Sequence, residues 1–391
     1  MTQNKRSRWL LLMTVLLGML AAIAPLSTDM YLPALPSMMT AFGVTPSVIQ
    51  LTLTASMAGM ALGQIAVGPI SDDKGRRLPL MVGMAIFTLS TVGCIWSPSI
   101  QIFLIFRLIQ GCAGGAGIVL SRAIARDLFA MLMLVNGIAP ILAPVIGGQI
   151  LRFAPWEGVF LFIAIVGLLL TVSAGLMRET LPQRRRVSGG MAASLNGFTA
   201  LFRQPYFMGH CIMQCFAFAA FFAYISGSSF VFQNVYSVSA QAFSLIFGIN
   251  GVGLMINGAV TGRLTGRIAD WKLLRFSLFL AAVGSVALLA AFSTGMPLPV
   301  IMVLLFLTVS TLSMMSTSSF SMAMQDQGRS AGSASALIGF FSMISGAVMA
   351  PVVGIAGDHT AIPMGIVMVI GEIGALLTFY ALIYPRHKDS L

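Results

Sequence analysis

Charge is what this chain has least of. Only 8% of its 391 residues are Asp, Glu, Lys or Arg, against 58% that are hydrophobic, and that leaves too little polar surface to cover a soluble globule of this length. A soluble enzyme or binding domain is excluded. Cysteine is equally sparse, with Cys94, Cys112, Cys211 and Cys215 forming no Cys-x-x-Cys pair; Cys211 and Cys215 stand one helical turn apart without further ligand residues and read as small packing groups. The three histidines, His210, His359 and His387, are scattered, and no paired nucleophile, phosphate loop or metal-ligand spacing accompanies them. No enzymatic activity, cofactor or metal is expected.

What fills the chain instead is apolar sequence in runs of the roughly 20 residues that an α-helix needs to cross a bilayer. Twelve spans are predicted, near 9–30, 47–70, 78–97, 100–121, 130–151, 158–177, 205–227, 240–262, 273–293, 298–321, 331–356 and 361–384. The net charge of +11 is not the mark of a nucleic-acid partner, because its distribution is one-sided. Of 22 Lys and Arg, only Arg107 lies deep in a span and only Arg152 in an odd-numbered loop; the other 20 sit at the termini, in the even-numbered loops or at their edges. By the positive-inside bias both termini are then cytoplasmic, as an even number of crossings also requires. Lys5, Arg6 and Arg8 before an apolar run imitate a signal peptide, but Pro25 directly follows the small-residue Ala22-Ile-Ala24 and the apolar pattern continues, so no cleavage is expected.

The stretch 178–204, with Arg178, Arg184, Arg185, Arg186, Ser188, Gly189 and Gly190, is the only long polar interruption. It divides the chain into an N-terminal six-helix half, 1–177, and a C-terminal half, 205–391. At an offset of 198 residues Gly68, Ile70, Asp72, Lys74 and Arg77 fall on Gly266, Ile268, Asp270, Lys272 and Arg275, the expected trace of a duplication. Asp29 and Arg107 fall on Gly227 and Leu305. The two charges thus have no counterpart in the second half, and the halves are expected to divide the labour.

Apart from Arg275 at the edge of the ninth span, three charges stand inside the spans. Arg107 opens Arg-Leu-Ile-Gln110-Gly111-Cys-Ala-Gly114 in the fourth, where a charge costs about 2.5–3.5 kcal/mol unless it faces a partner or a wet cavity. The alternative is an Arg snorkelling to the outer interface. Asp29 lies in Ser27-Thr-Asp-Met-Tyr31-Leu-Pro-Ala-Leu-Pro36, and it stays within the protein if the first helix is long and tilted. Glu372 lies midway along the twelfth span in Val369-Ile-Gly-Glu-Ile-Gly-Ala, either as a coupling residue or as a protonated acid bonded to a neighbouring helix. In the fifth span Asn136, Gly137, Pro140, Pro144, Gly147 and Gly148 combine kinks with small residues that permit close helix contact. With 27 Met and 27 Phe, and clusters such as Phe216, Phe218, Phe221, Phe222, Tyr224 and Met314, Met315, the chain suits a repacking apolar cavity.

Gly68-Pro-Ile-Ser-Asp72-Asp-Lys-Gly75-Arg76-Arg77 resembles the loop after the second helix of major facilitator superfamily transporters, departing at Asp73, where the family more often carries a basic residue. The resemblance implies an all-α membrane protein of twelve transmembrane helices in two pseudo-symmetric halves, with the substrate site between them. Arg107, Gln110, Gly111 and Gly114 resemble that family's fourth-helix signature, in which the Arg is tied to proton transfer. The fifth-span run resembles its antiporter motif, with Ala139 and Ala143 where glycine is preferred. Ser27 to Pro36, together with Gln50-Leu-Thr-Leu, Ala125-Arg-Asp-Leu, Met133-Leu-Val-Asn-Gly, Glu179-Thr-Leu-Pro182 and Ala331-Gly-Ser-Ala-Ser, is similar to the Bcr/CflA group of bacterial drug:proton antiporters. Trp156-Glu157-Gly158 and the short connector 122–130 depart from that group.

The resulting expectation is a proton-coupled exporter of amphipathic or apolar small molecules in a bacterial inner membrane, monomeric, whose partners are substrate, protons and lipid. Asp29, Arg107 and Glu372 are the candidates for proton coupling. Gly68, Asp72, Gly75, Arg76, Arg77 and Asp127 would form a cytoplasmic gate, and the resemblance sets Asp72 against the N-terminus of the eleventh helix, near Gly328 to Ala331. Tyr31, Gln110, Asn136, Phe222, Ser226, Phe230, Asn250 and Met314 would line the cavity. A proton-driven importer of a metabolite and a non-transporting membrane sensor are the rival readings.

Overall fold

A computed structural model describes residues 16–128, 135–177, 179–181, 199–327 and 331–390. Among them the chain is helical almost throughout, as a membrane interior demands of a backbone that has no water to bond. The first apolar stretch is helical over 16–21 and again in α1 (Ile23–Thr28), opens into a turn at residues 29–31, passes through a single 3₁₀ turn (Leu32–Ala34) and resumes as α2 (Leu35–Phe42). Pro25, Pro33 and Pro36 explain the break: each removes an amide donor, and the residue before each is biased away from the helical region. Helical structure thus runs to Phe42, well beyond the expected end at 30, and Asp29 lies at its break.

The remaining helices are α3 (Pro46–Lys74), α4 (Arg77–Ile95), α5 (Ile100–Leu128), α6 (Val135–Ile150), α7 (Trp156–Leu176), α8 (Pro205–Phe230), α9 (Ala240–Leu264), α10 (Asp270–Ser293), α11 (Leu298–Met324), α12 (Ala331–Val353) and α13 (Ile362–Thr378). Ten are long and apolar enough to cross a membrane among the described residues. The exceptions to the expected twelve are the broken first stretch and α6, whose apolar part is the shorter Ile141–Ile150.

The chain divides into two compact units, one of Ala55–Ala193 with the residues up to Tyr31, the other of Leu32–Thr54 with Ser194–Leu391. In the first, α5 meets α3 backbone to backbone. A Cβ on Gly59, Gly63, Gly111 or Gly115 would strike a main-chain carbonyl of the facing helix, of Leu108, Cys112, Ser56 and Met60 respectively, so the one-turn glycine spacing on both helices is a close-approach seam. The other side of α5 carries Gly114 and Gly117 against Ile23 of α1. In the second unit α8 packs along α12 and α13, and α10 and α11 complete a core with Met213, Leu274, Leu278, Leu312, Met315 and Phe379. Leu32–Thr54 is fastened within that unit by Ser229 Oγ donating to Leu32 O at 2.6 Å, Gln50 Nε2 to Ser226 O at 3.0 Å and Thr54 Oγ1 to Ala347 O at 2.6 Å.

The internal echo needs one correction. The left-handed turn residue between α3 and α4 is Gly75 (φ 93°), and its counterpart between α9 and α10 is Gly266 (φ 84°). These lie 266 − 75 = 191 residues apart, so the offset of 198, which pairs Gly266 with Gly68, is out of step with the turn itself. Gly68 is inside α3, whereas only a glycine adopts the positive φ of the turn without strain.

Candidate functional site

α5 presents Arg107, Gln110 and Gly114 at spacings of three and four residues, one face of a helix. Because Gly114 lacks a side chain, that face lies close to Ile23 of α1, and Arg107 reaches the end of the first helix. Its guanidinium is fully buried, which excludes the snorkelling alternative. Nη2 donates to the Ser27 carbonyl at 2.8 Å and Nη1 donates to Gln110 Oε1. The guanidinium lies 4.5 Å from the Tyr31 ring centroid and 5.7 Å from that of Phe160, within reach of a cation–π attraction. Phe103, Trp156 and Phe160 close edge-to-face around one another.

The Ser27 carbonyl accepts this bond because α1 stops there. The last carbonyls of a helix have no intrahelical donor and carry the negative end of its dipole, which favours a cation. Two residues further on, Asp29 is the C-cap of α1, its amide bonded to Pro25 O at 2.8 Å. The Asp29 carboxyl is buried and receives the Thr28 hydroxyl at 2.7 Å on Oδ1. Gly147 of α6 is pressed against the turn, since a Cβ there would collide with the Met30 carbonyl. Pro144, Gly147 and Gly148 are all buried. The side chains of Asn136 and Pro140, and the surroundings of Gly137, lie outside the described residues. The sequence thus points to Asp29, Arg107, Gln110, Tyr31 and Gly147 separately, and the structure brings them to one place.

Gln110 extends the cluster to α4. Its Nε2 donates to Thr91 Oγ1 at 2.7 Å, and Thr91 Oγ1 donates to Phe87 O at 2.6 Å. Sequence reasoning passed over Thr91, Ser27 and Phe160, because a hydroxyl, a carbonyl and a ring in apolar helices carry no spacing signal.

At the turn between α3 and α4, Arg76 is buried with Nη1 donating to Ser71 Oγ, and exposed Arg77 donates from Nη2 to Gly175 O. Among the described residues, an acid that serves this turn is Glu179, just past α7. Its carboxylate accepts the amides of Arg76 at 2.8 Å, Arg77 at 3.2 Å and Leu181 at 3.0 Å. Partial burial pushes the Glu179 carboxyl up, but these backbone donors together hold it below its ordinary value. Glu179 was visible in sequence only as part of Glu179-Thr-Leu-Pro182. Gly75 makes the turn, and at Gly68 a Cβ would come into ordinary contact with Val119 among the described residues; the side chains of Asp72 and Asp127, and residues 328–330, lie outside the described residues.

Glu372 belongs to the second unit, buried in α13 with no hydrogen-bond partner for Oε2 among the described residues. Phe222, Ser226, Phe230, Asn250 and Met314 are buried in that unit too. Asn250 donates to the Tyr224 hydroxyl at 2.9 Å, and Tyr224 stacks on Phe247. A cavity of about 530 Å³ among α3, α4 and α5, lined by Leu62, Val67, Val82, Ile86, Leu108 and Cys112, holds none of the expected site residues. No cluster of His, Cys, Asp and Glu among the described residues has the makings of a metal site.

A family model described as Major Facilitator Superfamily matches residues 17–351. The chain is 38% identical, over 99% of both chains, to an uncharacterized MFS-type transporter YdgK of Bacillus subtilis. It is 30% identical, over 97% of both, to a bicyclomycin resistance protein homolog of Haemophilus influenzae, and 28% identical, over 63% of both, to multidrug resistance protein D of Escherichia coli. Among solved structures, a D-xylose-proton symporter superposes with a TM-score of 0.73 at 16% identity, over 96% of this chain and 98% of that one.

Proposed function

The chain belongs to the Major Facilitator Superfamily, and from that premise we propose that it is a drug:proton antiporter exporting amphipathic or apolar small molecules. The relatives named for resistance support an exporter, and the family is one of transporters rather than enzymes. The chain is a multi-pass membrane protein. In this reading it has twelve spans in two halves, 1–177 and 205–391 joined by 178–204, works as a monomer, and sits in the bacterial inner membrane with both termini cytoplasmic.

The observation that carries the coupling proposal is the bond from buried Arg107 to Ser27 O at the helix break that holds Asp29. A buried carboxyl exchanges a proton at low cost when its charged form is neither well hydrated nor over-stabilised. Protons from outside neutralise Asp29 and release substrate outward; deprotonation to the cytoplasm restores a carboxylate at the helix break that the guanidinium holds through the Ser27 carbonyl and, with it, affinity for substrate. Because Arg107 holds the α1 end and Gly147 supports Met30, a change of charge at Asp29 is felt as a movement of the turn 29–31. Tyr31, Gln110 and Asn136, with Phe222, Ser226, Phe230, Asn250 and Met314, are proposed to contact substrate.

Gly68, Asp72, Gly75, Arg76, Arg77 and Asp127 are proposed as the cytoplasmic gate, with Glu179 as its anchor. The bonds that fasten Leu32–Thr54 within its unit are proposed to open in another state of the cycle. Glu372 supports a second reading, since a buried carboxyl with an unbonded oxygen is itself able to carry a proton.

A drug-susceptibility panel on an efflux-deficient bacterium expressing the chain tests export. Raised resistance to several lipophilic compounds, lost in Asp29→Asn, supports it; no change across the panel, with accumulation of a metabolite in right-side-out vesicles, supports the importer.

A further inference from the structure

The Thr91–Gln110–Arg107 chain has a direction that its geometry imposes. Thr91 is fully buried and has one proton, which it gives to Phe87 O at 2.6 Å within its own helix. Toward Gln110, 2.7 Å away, the Thr91 oxygen is therefore an acceptor. A carboxamide has one donating and one accepting end, so the acceptor on α4 draws Gln110 Nε2 and turns Oε1 toward Arg107. Were the amide reversed, its NH₂ would face a guanidinium that only donates, and Gln110 Oε1 would face a hydroxyl already committed elsewhere. Both contacts would be lost inside a buried site, where an unmade hydrogen bond is expensive.

We infer that Thr91 is the positioning residue of the site: by anchoring the Nε2 end of the Gln110 amide in the sense that the donor-only guanidinium requires, it keeps Oε1 in place on Arg107 Nη1 and so leaves Nη2 to hold the Ser27 carbonyl at the α1 break. Its meaning for transport rests on the coupling role proposed for Arg107 and Asp29, but the positioning itself does not. Gln110 thus joins α4 to α1 through Arg107, and α4 becomes part of the machinery although it carries no charge at this depth. Thr91→Val keeps the side-chain shape and removes the acceptor. Thr91→Ser keeps the acceptor. Gln110→Glu offers Arg107 an oxygen in either orientation and removes the dependence on Thr91.

The test is ¹⁵N solid-state NMR of arginine-labelled full-length protein in liposomes, with the Arg107 guanidinium signals assigned by their loss in Arg107→Lys. Thr91→Val should shift or split those signals, Thr91→Ser should leave them in place, and in a Gln110→Glu background Thr91→Val should add nothing. Signals unmoved by Thr91→Val, or moved as much in the Gln110→Glu background, would overturn the inference. In the drug panel, Thr91→Val should cost about tenfold in protection, the scale of one hydrogen bond at the upper end of its usual range, with Thr91→Ser near wild type. If Thr91→Val moves the NMR signals while Arg107→Lys and Asp29→Asn protect as well as wild type, the coupling reading fails and the positioning stands.

Discussion

Gly147 of α6 lies directly against the main-chain carbonyl of Met30, so closely that a single methyl group would not fit between them. The carbonyl cannot withdraw without moving the turn that carries Asp29 and Tyr31. Gly147→Ala should therefore behave as an overpacking change, destabilising by about 1–3 kcal/mol, and should also impair export. Gly175→Ala is the control, because its Cβ would meet only Met81 Sδ at 3.7 Å, ordinary contact. Thermal melts of the two detergent-solubilised variants, with resistance assays beside them, check this; equal behaviour would remove Gly147 from the account.

Glu179 should tie the cytoplasmic turn to α7 in a pH-dependent way. Its folded carboxyl is held below its ordinary value, so the anchoring is fully present above the unfolded value of 4.5 and is lost as pH falls through the lower, folded one. Glu179→Gln should abolish that dependence and loosen the Arg76 and Arg77 amides at neutral pH. Hydrogen exchange at the two amides is the measurement: faster exchange in Glu179→Gln at pH 7, and no acid-induced change, is expected.

Much of this arrangement was legible in the sequence, and the residues explain which part. Arg107 and Asp29 stand out because charge in an apolar span is costly, Gly147 because small residues in a helix mark close approach, and Gly111 only through its resemblance to the fourth-helix signature. The length of the first helix was misjudged, since Pro33 and Pro36 break it without ending it. The offset of 198 matched residue types while the turn itself is set by Gly75 and Gly266, where backbone conformation rather than identity decides. Thr91 and Glu179 were missed for a common reason: each acts through a bond to a neighbour distant in sequence, Gln110 in one case and the Arg76 amide in the other.

Glu372 separates the two coupling readings. If Asp29 alone carries the proton, Glu372→Gln should leave export and its pH profile unchanged and alter only stability. A flattened pH profile in transport assays of Glu372→Gln, with the protein well folded, would make α13 a second proton site.

Arg107→Lys should retain part of the function, because a charge remains, whereas the forked pair of contacts to Ser27 O and Gln110 Oε1 requires a guanidinium. Arg107→Ala should lose it entirely. Resistance ranked wild type, Lys, Ala is expected; a Lys variant no better than Ala would mean that both contacts, not the charge, are indispensable.

The central claim is that Asp29 exchanges the coupled proton, and substrate-induced proton release from unbuffered, detergent-solubilised protein tests it most directly. Adding a compound exported in the drug panel should release protons from the wild type and none from Asp29→Asn, although that variant folds and still binds the compound. A normal release signal from Asp29→Asn would contradict the account and move the coupled proton elsewhere.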